Sequence, residues 1–359
     1  MSGNSRTKST DWTSAGRSLH PSRHGESDFI EWLRSLAPSL TEPDKGIGDD
    51  AAIVSPPAGR QLVVSTDTLT EDVHFRRHQT APVMLGRKTL LVNLSDLAAM
   101  GAEPWVCLLS LVLPGELARS DYISSLVEGF LGETRRWAVD LVGGNITRGS
   151  IVQTSATIVG TVPSGQAVRR DGCREGDAIY LVGRLGHAAL GLQILQEFEF
   201  EKALASEEEL QAIVHDRLSL RFVTSHLLPE PQISAGIWLR KQGLANSMID
   251  VSDGLVSDLQ RMVESSFVDI VIQNHALKRL RSEGGERMTL QHILNGGEDY
   301  ALAFSCPRGE EERLESHFPD DSGLLLRLGE ARSTREPAVW LDDGDNQVVL
   351  LPQGFDHLK

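Results

Sequence analysis

Residues 84–113 read MLGRKTLLVNLSDLAAMGAEPWVCLLSLVL. Within 84–101, Leu91, Leu94 and Ala98 fall on one stripe, and the spacing predicts a long helix. WVCLLSLVL (105–113) is a short unbroken apolar run and predicts a buried strand. A helix delivered directly onto a buried strand is the kernel of an α+β unit. One residue sits awkwardly in it. Asp96 lies among aliphatic and small neighbours, where an ionised carboxylate is costly unless something pairs with it.

The pattern extends both ways. QLVVSTD (61–67) has the β-branched content of a strand. Residues 120–138 predict a second helix, with Ile123, Leu126, Val127, Phe130 and Leu131 in register. Residues 139–144 and 151–162 predict strands joined by a tight loop. Upstream, Ser27 reads as the N-cap of a helix carrying Phe29, Ile30, Leu33 and Leu36, ended by Pro38. Near Pro163–Gly165 the character changes, and GDAIYLVGRLG (176–186) opens a new unit of strand, glycine turn and helix. Residues 187–245 read as mainly helical. Strands follow at 247–250, 269–272, 300–304 and near 323–328 and 338–341, with a helix from about Gly254. The fold class is therefore α+β, with two α/β-type domains. An N-terminal domain covers 27–163 and a C-terminal domain 164–359. Residues 1–26, rich in Ser, Thr, Arg and Gly, read as a disordered tail without the apolar core of a secretory signal.

The 359 residues carry a formal net charge of -15, which excludes a general nucleic-acid binder. That charge does not exclude a nucleotide ligand, because divalent metals reverse the local sign of an acidic site. With 40% hydrophobic but only 5% aromatic residues, the cores must be mostly aliphatic. The 3 cysteines, Cys107, Cys173 and Cys306, are far apart, so a reducing cytoplasm is the default and no zinc spacing exists. No apolar run approaches the ~20 residues of a membrane span.

Aspartates recur at predicted strand ends beside Gly, Ser or Thr. Asp49 and Asp50 stand in GIGDDAAIV (46–54), before a run that reads as a buried strand, and Asp67 ends LVVSTD. Asp250 follows SMI, Asp253 follows DVS, and Glu298 and Asp299 precede YALAF. Any one of these, taken alone, is most simply a turn residue or helix cap; Ser252 or Asp253 could cap the helix that begins at Gly254. Six or more in the same setting strain that explanation. Carboxylates at ~5 Å repel by roughly 3 kcal/mol per pair at an effective dielectric of 20, so such a cluster needs cations. Hard oxygen donors without clustered Cys or His point to Mg²⁺, and Mg²⁺ favours a phosphate-bearing partner. No Walker loop, H-E-x-x-H or G-x-S-x-G is present.

The motifs GIGDDAA, STDTLTEDVHF, VNLSDLAAMGAEP, GGNITRG, IDVSDGL, GGEDYAL and GFDH stand in the order seen in thiamine-monophosphate kinases. From about Gly46 to His357 the chain resembles that family, which lies within the aminoimidazole ribonucleotide synthetase superfamily. The resemblance implies an N-terminal sheet domain that dimerises by sheet pairing and a C-terminal sheet covered by helices. It implies transfer of the γ-phosphoryl of ATP to thiamine monophosphate by a cytoplasmic homodimer using several Mg²⁺ ions, with no nucleic-acid or membrane partner. Asp50, Ser65, Thr66, Asp67, Asp96, Asp250 and Asp253 fall at its metal positions. Asn145 stands where some members have Asp, and it ligates through a carbonyl oxygen with one charge fewer. His74, Glu298 and Phe355 fall at substrate positions, and Gly144, Asn145, Arg170 and Ser252 at nucleotide positions. Tyr122 is a candidate aromatic near the adenine. By the same resemblance Asp50 is the ligand of the GIGDDAAIV pair and Asp49 its support. Two other readings stay open: a superfamily member with a different acceptor, and a non-catalytic metal- or nucleotide-binding relative.

Overall fold

Two sheets organise the chain in the computed structural model, which describes residues 25–37, 44–200 and 202–354. Pro38, Phe355, most of the 1–26 tail and the end of GFDH lie outside the described residues.

The first sheet holds β1 (Arg60–Thr70), β2 (Glu103–Leu113), β3 (Asp140–Arg148) and β4 (Gln153–Pro163), in the order β1-β4-β2-β3. β4 is antiparallel to both neighbours, while β2 and β3 run parallel. A parallel pair needs a crossover. Of the three N-terminal helices, α1 (Glu26–Leu36), α2 (Pro82–Ala99) and α3 (Asp121–Arg136), the third supplies it. Helix α1 begins at Glu26 with Gly25 at its N-cap, so Ser27 lies in the first turn rather than capping it.

Register fixes which face of this sheet each residue joins, because directly opposed residues share a face. Ser65 and Asp67 oppose Ile158 and Ala156, which are fully buried, on the face that α2 covers. Leu62, Val64 and Thr66 oppose Thr161, Val159 and Thr157 on the other face, where Val64 remains 62% exposed.

The second sheet is mixed and seven-stranded. It contains β5 (Ala178–Val182), β6 (Ser247–Val251), β7 (Val268–Gln273), β8 (Ala301–Cys306), β9 (Leu325–Ser333), β10 (Val339–Asp342) and β11 (Gln347–Leu350), in the order β11-β10-β7-β9-β5-β8-β6. Helices α4 (His187–Gln196), α5 (Glu207–Ile213), α6 (Arg217–Leu227), α7 (Ile233–Gln242) and α8 (Leu255–Ser266) pack with it. So do α9 (Asn274–Ser282), α10 (Leu290–Asn295) and α11 (Glu311–His317), for which the sequence pattern gave no expectation. No described helix is long and apolar enough to cross a membrane.

Helix α2 joins the two halves. All of its residues except Val83, Arg87 and Asp96 are buried. Its N-terminal Met84 belongs to the core under the second sheet, and Leu90, Leu94 and Leu97 to the core under the first. Its C-terminal end meets α7 so closely that a Cβ on Gly236 would lie 2.1 Å from the Ala98 carbonyl oxygen. Arg240 of α7 then donates to the Gly101 carbonyl at 2.7 Å and pairs with Glu103 at 2.7 Å.

A second expectation fails. Residues 51–54 form no buried strand. The segment makes a single antiparallel bridge, Lys45 to Ile53, and Ile53 is 56% exposed. Among the described residues no neighbouring strand extends the pairing, and the apolar run is a surface loop. Asp49 closes that loop by pairing with Lys45 and by accepting the Asp50 N–H at 2.9 Å.

Candidate active site

A cavity of about 390 Å³ opens where α2, β6 and the loop before β8 meet. Asp67 reaches it from β1, Asp96 from α2, and Asp250, Ser252 and Asp253 from the end of β6. His74 lines it from the turn after β1, with its Nδ1 accepting the Thr70 N–H at 3.1 Å. Glu298 and Tyr300 line it from the loop before β8. A wider cleft of about 550 Å³ lies beside Arg184 and Arg221, but both guanidiniums are already tied to Glu283.

The acids are held by hydroxyls and amides. Ser65 donates to Asp96, and Ser95 donates to Asp250 at 2.8 Å, bridging the two halves of the chain. The Asp67 N–H donates to Asn93 Oδ1 at 2.9 Å. Burial, then repulsion from Asp96 and Asp253, pushes the Asp67 carboxyl up to about 6. Burial also raises Asp96, against its Ser65 hydrogen bond and the nearby Arg170 cation. Burial and then Asp96 push Asp250 up to about 7. Three carboxyls that cannot comfortably ionise together form a hard-oxygen donor set deficient in positive charge, which fits Mg²⁺. Among the described residues, no three Asp, Glu, His or Cys side chains already stand close enough to hold a metal ion.

The sequence-predicted residues divide. Asp67, Asp96, Asp250, Asp253, Ser252, His74 and Glu298 line one cavity. Ser65 reaches it through Asp96. Thr66 does not: its hydroxyl donates to the Ala156 carbonyl at 3.0 Å and meets Thr157 Oγ1 at 3.1 Å on the opposite face of the sheet. Asp50 is exposed on the Lys45–Ile53 loop and does not line the cavity. Gly144 and Asn145 occupy exposed positions of β3. A Cβ at Gly144 would come 1.9 Å from the Leu109 carbonyl oxygen, so strand packing alone demands glycine there. Tyr122 lines a separate cavity with Glu71 and Arg77. Phe355 is outside the described residues.

Neither Ser252 nor Asp253 caps α8, whose N-cap is Gly254 at φ 112°. Instead Asp258, in the first turn of α8, accepts the N–H groups of Ser252 (3.1 Å) and Asp253 (3.0 Å). The sequence reading missed Asp258. Its available signal was an acid in the first turn of a helix lacking a side-chain cap. Asp299 parts company with its neighbour Glu298. It accepts the Gly186 and Ala188 N–H groups at 2.6 and 2.9 Å and so caps α4.

Comparison with known proteins now bears on this geometry. The family described as AIR synthase related protein, N-terminal domain, matches residues 48–162, and its C-terminal counterpart matches 174–335. The thiamine-monophosphate kinase of Escherichia coli is 35% identical over 338 residues, spanning 93% of this chain and 98% of that protein. The chain belongs to the thiamine-monophosphate kinase family. A solved family structure from Stenotrophomonas maltophilia superposes with a TM-score of 0.72 at 33% identity, covering 87% of this chain and 94% of that one. Another, described as AaThiL complexed with AMPPCP and TMP, gives 0.68 at 29% identity, covering 93% and 97%. The family resemblance read from seven motifs is thus shown, as is the α+β fold of two AIR synthase-related domains.

Proposed function

We propose that the protein transfers the γ-phosphoryl group of ATP to thiamine monophosphate, giving thiamine diphosphate. The observation that carries this reading is the convergence of Asp67, Asp96, Asp250 and Asp253 from separate segments on one cavity, in a chain of this family. A relative solved with AMPPCP and TMP supports both substrates.

The acceptor is a phosphate monoester with a second pKa of ≈ 6, so at pH 7 it is already mostly a dianionic nucleophile. No side chain has to remove its proton, in contrast to kinases acting on alcohols. The barrier lies in bringing two polyanions together and aligning them. Asp67, Asp96, Asp250 and Asp253 would hold Mg²⁺, with Asp50, Ser65 and Asn145 assigned as further ligands by family resemblance, while the Thr66 hydroxyl is engaged on the opposite face of the sheet. Bound Mg²⁺ supplies charge neutralisation between the two phosphate chains. Arg170, close enough to lower the Asp96 carboxyl, would add a charge-assisted contact to nucleotide phosphate. Ser252 and Gly144 would contact the nucleotide, and His74, Glu298 and Phe355 the acceptor. Residues 27–163 would form the nucleotide, metal and dimer domain, and 164–359 would complete the site. Of the different-acceptor readings, selenophosphate synthesis would need a reactive cysteine in the N-terminal segment, whereas the first cysteine here, Cys107, is fully buried and burial pushes its thiol well up.

Purified protein incubated with ATP, Mg²⁺ and a panel of phosphate-ester acceptors tests the reading. Thiamine diphosphate should form, and the other acceptors should react at least tenfold more slowly. No thiamine diphosphate at any metal or salt concentration overturns it.

A further inference from the structure

Helix α2 buries a lysine. The Lys88 side chain is 1% exposed, and its Nζ lies 2.9 Å from Glu298 Oε1. The other carboxylate oxygen, Oε2, lies 3.1 Å from Nδ1 of His226, a buried residue of α6. Glu298 therefore has both oxygens engaged, one from each half of the chain, and still lines the cavity.

The backbone is committed to the same end. Glu298 sits at φ 65° and Tyr300 at φ 50°, left-handed values that non-glycine residues adopt only when the surroundings enforce them. The enforcement is visible. The Glu298 N–H donates to the Ser252 carbonyl at 2.8 Å and the Tyr300 N–H to the Val251 carbonyl at 2.9 Å. These bonds fasten the loop to the segment that carries Asp250 and Asp253.

The charges balance. Burial alone would raise Glu298, but Lys88 and then His226 overcome it and hold the carboxyl well below its usual range. Burial first, and then the Lys88 cation, keep His226 below its ordinary value, so at neutral pH it is uncharged and donates Nδ1–H to Glu298. The cluster is one cation, one anion and one neutral donor. Glu298 thus faces the cavity as an oriented hydrogen-bond acceptor whose charge is already compensated.

We propose that Lys88 and His226 are positioning residues for acceptor recognition, fixing Glu298 so that the cavity selects an acceptor with an N–H donor remote from its phosphate, such as a heteroaromatic amine, rather than any cationic ring. This rests on the acceptor reading above. Thiamine monophosphate carries both an aminopyrimidine and a cationic thiazolium, and the structure assigns Glu298 to the first.

The test compares wild type and Lys88→Met on thiamine monophosphate and on its oxo analogue, in which the pyrimidine amine is replaced by oxygen. For thiamine monophosphate, Lys88→Met should raise KM at least tenfold, with KM for ATP changed less than twofold. For the oxo analogue, KM should already be high in wild type and should rise less than threefold further in Lys88→Met. Should Lys88→Met be insoluble, the uncharged pair Lys88→Met/Glu298→Gln replaces it and is compared with Glu298→Gln alone. Equal KM values for thiamine monophosphate are expected, since Lys88 acts through Glu298. A KM for ATP that rises in parallel, equal sensitivity of both acceptors to Lys88→Met, or a further tenfold loss in the double variant overturns the proposal. A wild-type enzyme that does not turn over thiamine monophosphate overturns the acceptor reading itself, and the proposal with it.

Discussion

Asp250, next to last in β6 and partly buried, accepts from Ser95 and feels the charges of Asp96, Asp258 and Asp67. Its carboxyl is raised from 3.8 to about 7. The unfolded chain therefore ionises this group first, and the metal-free folded state loses stability as pH rises from about 4 towards 7. Asp250→Asn removes that loss. In chelator at pH 8 the variant should melt at least about 2 °C above wild type, with the gap closing near pH 4. Its turnover should fall by about 100-fold or more, because a charge-bearing group of the transfer site is gone. Calorimetry across pH and a coupled assay check the two halves, and a variant that melts lower at pH 8 yet keeps turnover removes Asp250 from the site. At this scale Asp67, Asp250 and Asp253 were legible because they follow predicted strands beside small residues, and Asp96 because it interrupts an aliphatic helix. Lys88, His226 and Asp258 were not. A lysine or histidine in a helical stripe reads as a solvated residue until a partner from another segment is placed against it, and no local pattern in one sequence places that partner.

Helix α2 is where the two halves of the site are set against each other. It presents Asp96 and Ser95 to the β6 acids and Lys88 to Glu298, so its angle to α7 governs the cavity. That angle depends on Gly236, where a Cβ would stand 2.1 Å from backbone oxygen and 3.0 Å from backbone carbon of Ala98. Gly236→Ala should cost about 2 kcal/mol, as overpacking between rigid helices does, and lower turnover with it. Gly132→Ala in α3 is the control. Its Cβ meets nothing within 4 Å, so a helical alanine should be neutral or stabilising by about 0.5–1 kcal/mol. Urea unfolding of both variants decides it, and equal stabilities would dissociate the α2–α7 contact from the fold's rigidity. The runs that became β1, β2, α2 and α3 were readable from period and composition. Residues 51–54 misled for a physical reason: an apolar run becomes a strand only where a neighbour offers a ladder, and among the described residues only Lys45 does so. Sheet order is unreadable for the same reason, since β9 inserts between β5 and β7 through contacts far apart in sequence.

At the scale of the whole molecule, the first sheet has a covered face and an open one. Helices bury Ile158, Ala156 and Cys107 on one side. The other side carries Leu62, Val64 and Leu108, exposed by 46%, 62% and 38%, together with Thr66 and Thr157. These residues are register partners, so they form one contiguous strip across β1, β4 and β2. A strip of this kind on a long strand invites association. A homodimer, expected from family resemblance, would place a second copy there; the Thr66 hydroxyl, bonded to Thr157, lies on this open face rather than in the cavity. Val64→Arg puts a charge in the middle of the strip without touching the covered face that carries Ser65 and Asp67. Light scattering coupled to size exclusion should find a wild-type dimer and a variant that dissociates at micromolar concentration, with its secondary structure retained. If the dimer were built elsewhere, Val64→Arg would leave its mass unchanged. Loss of turnover on dissociation would further show that the cavity needs its neighbour, and retention would show that one chain completes the site.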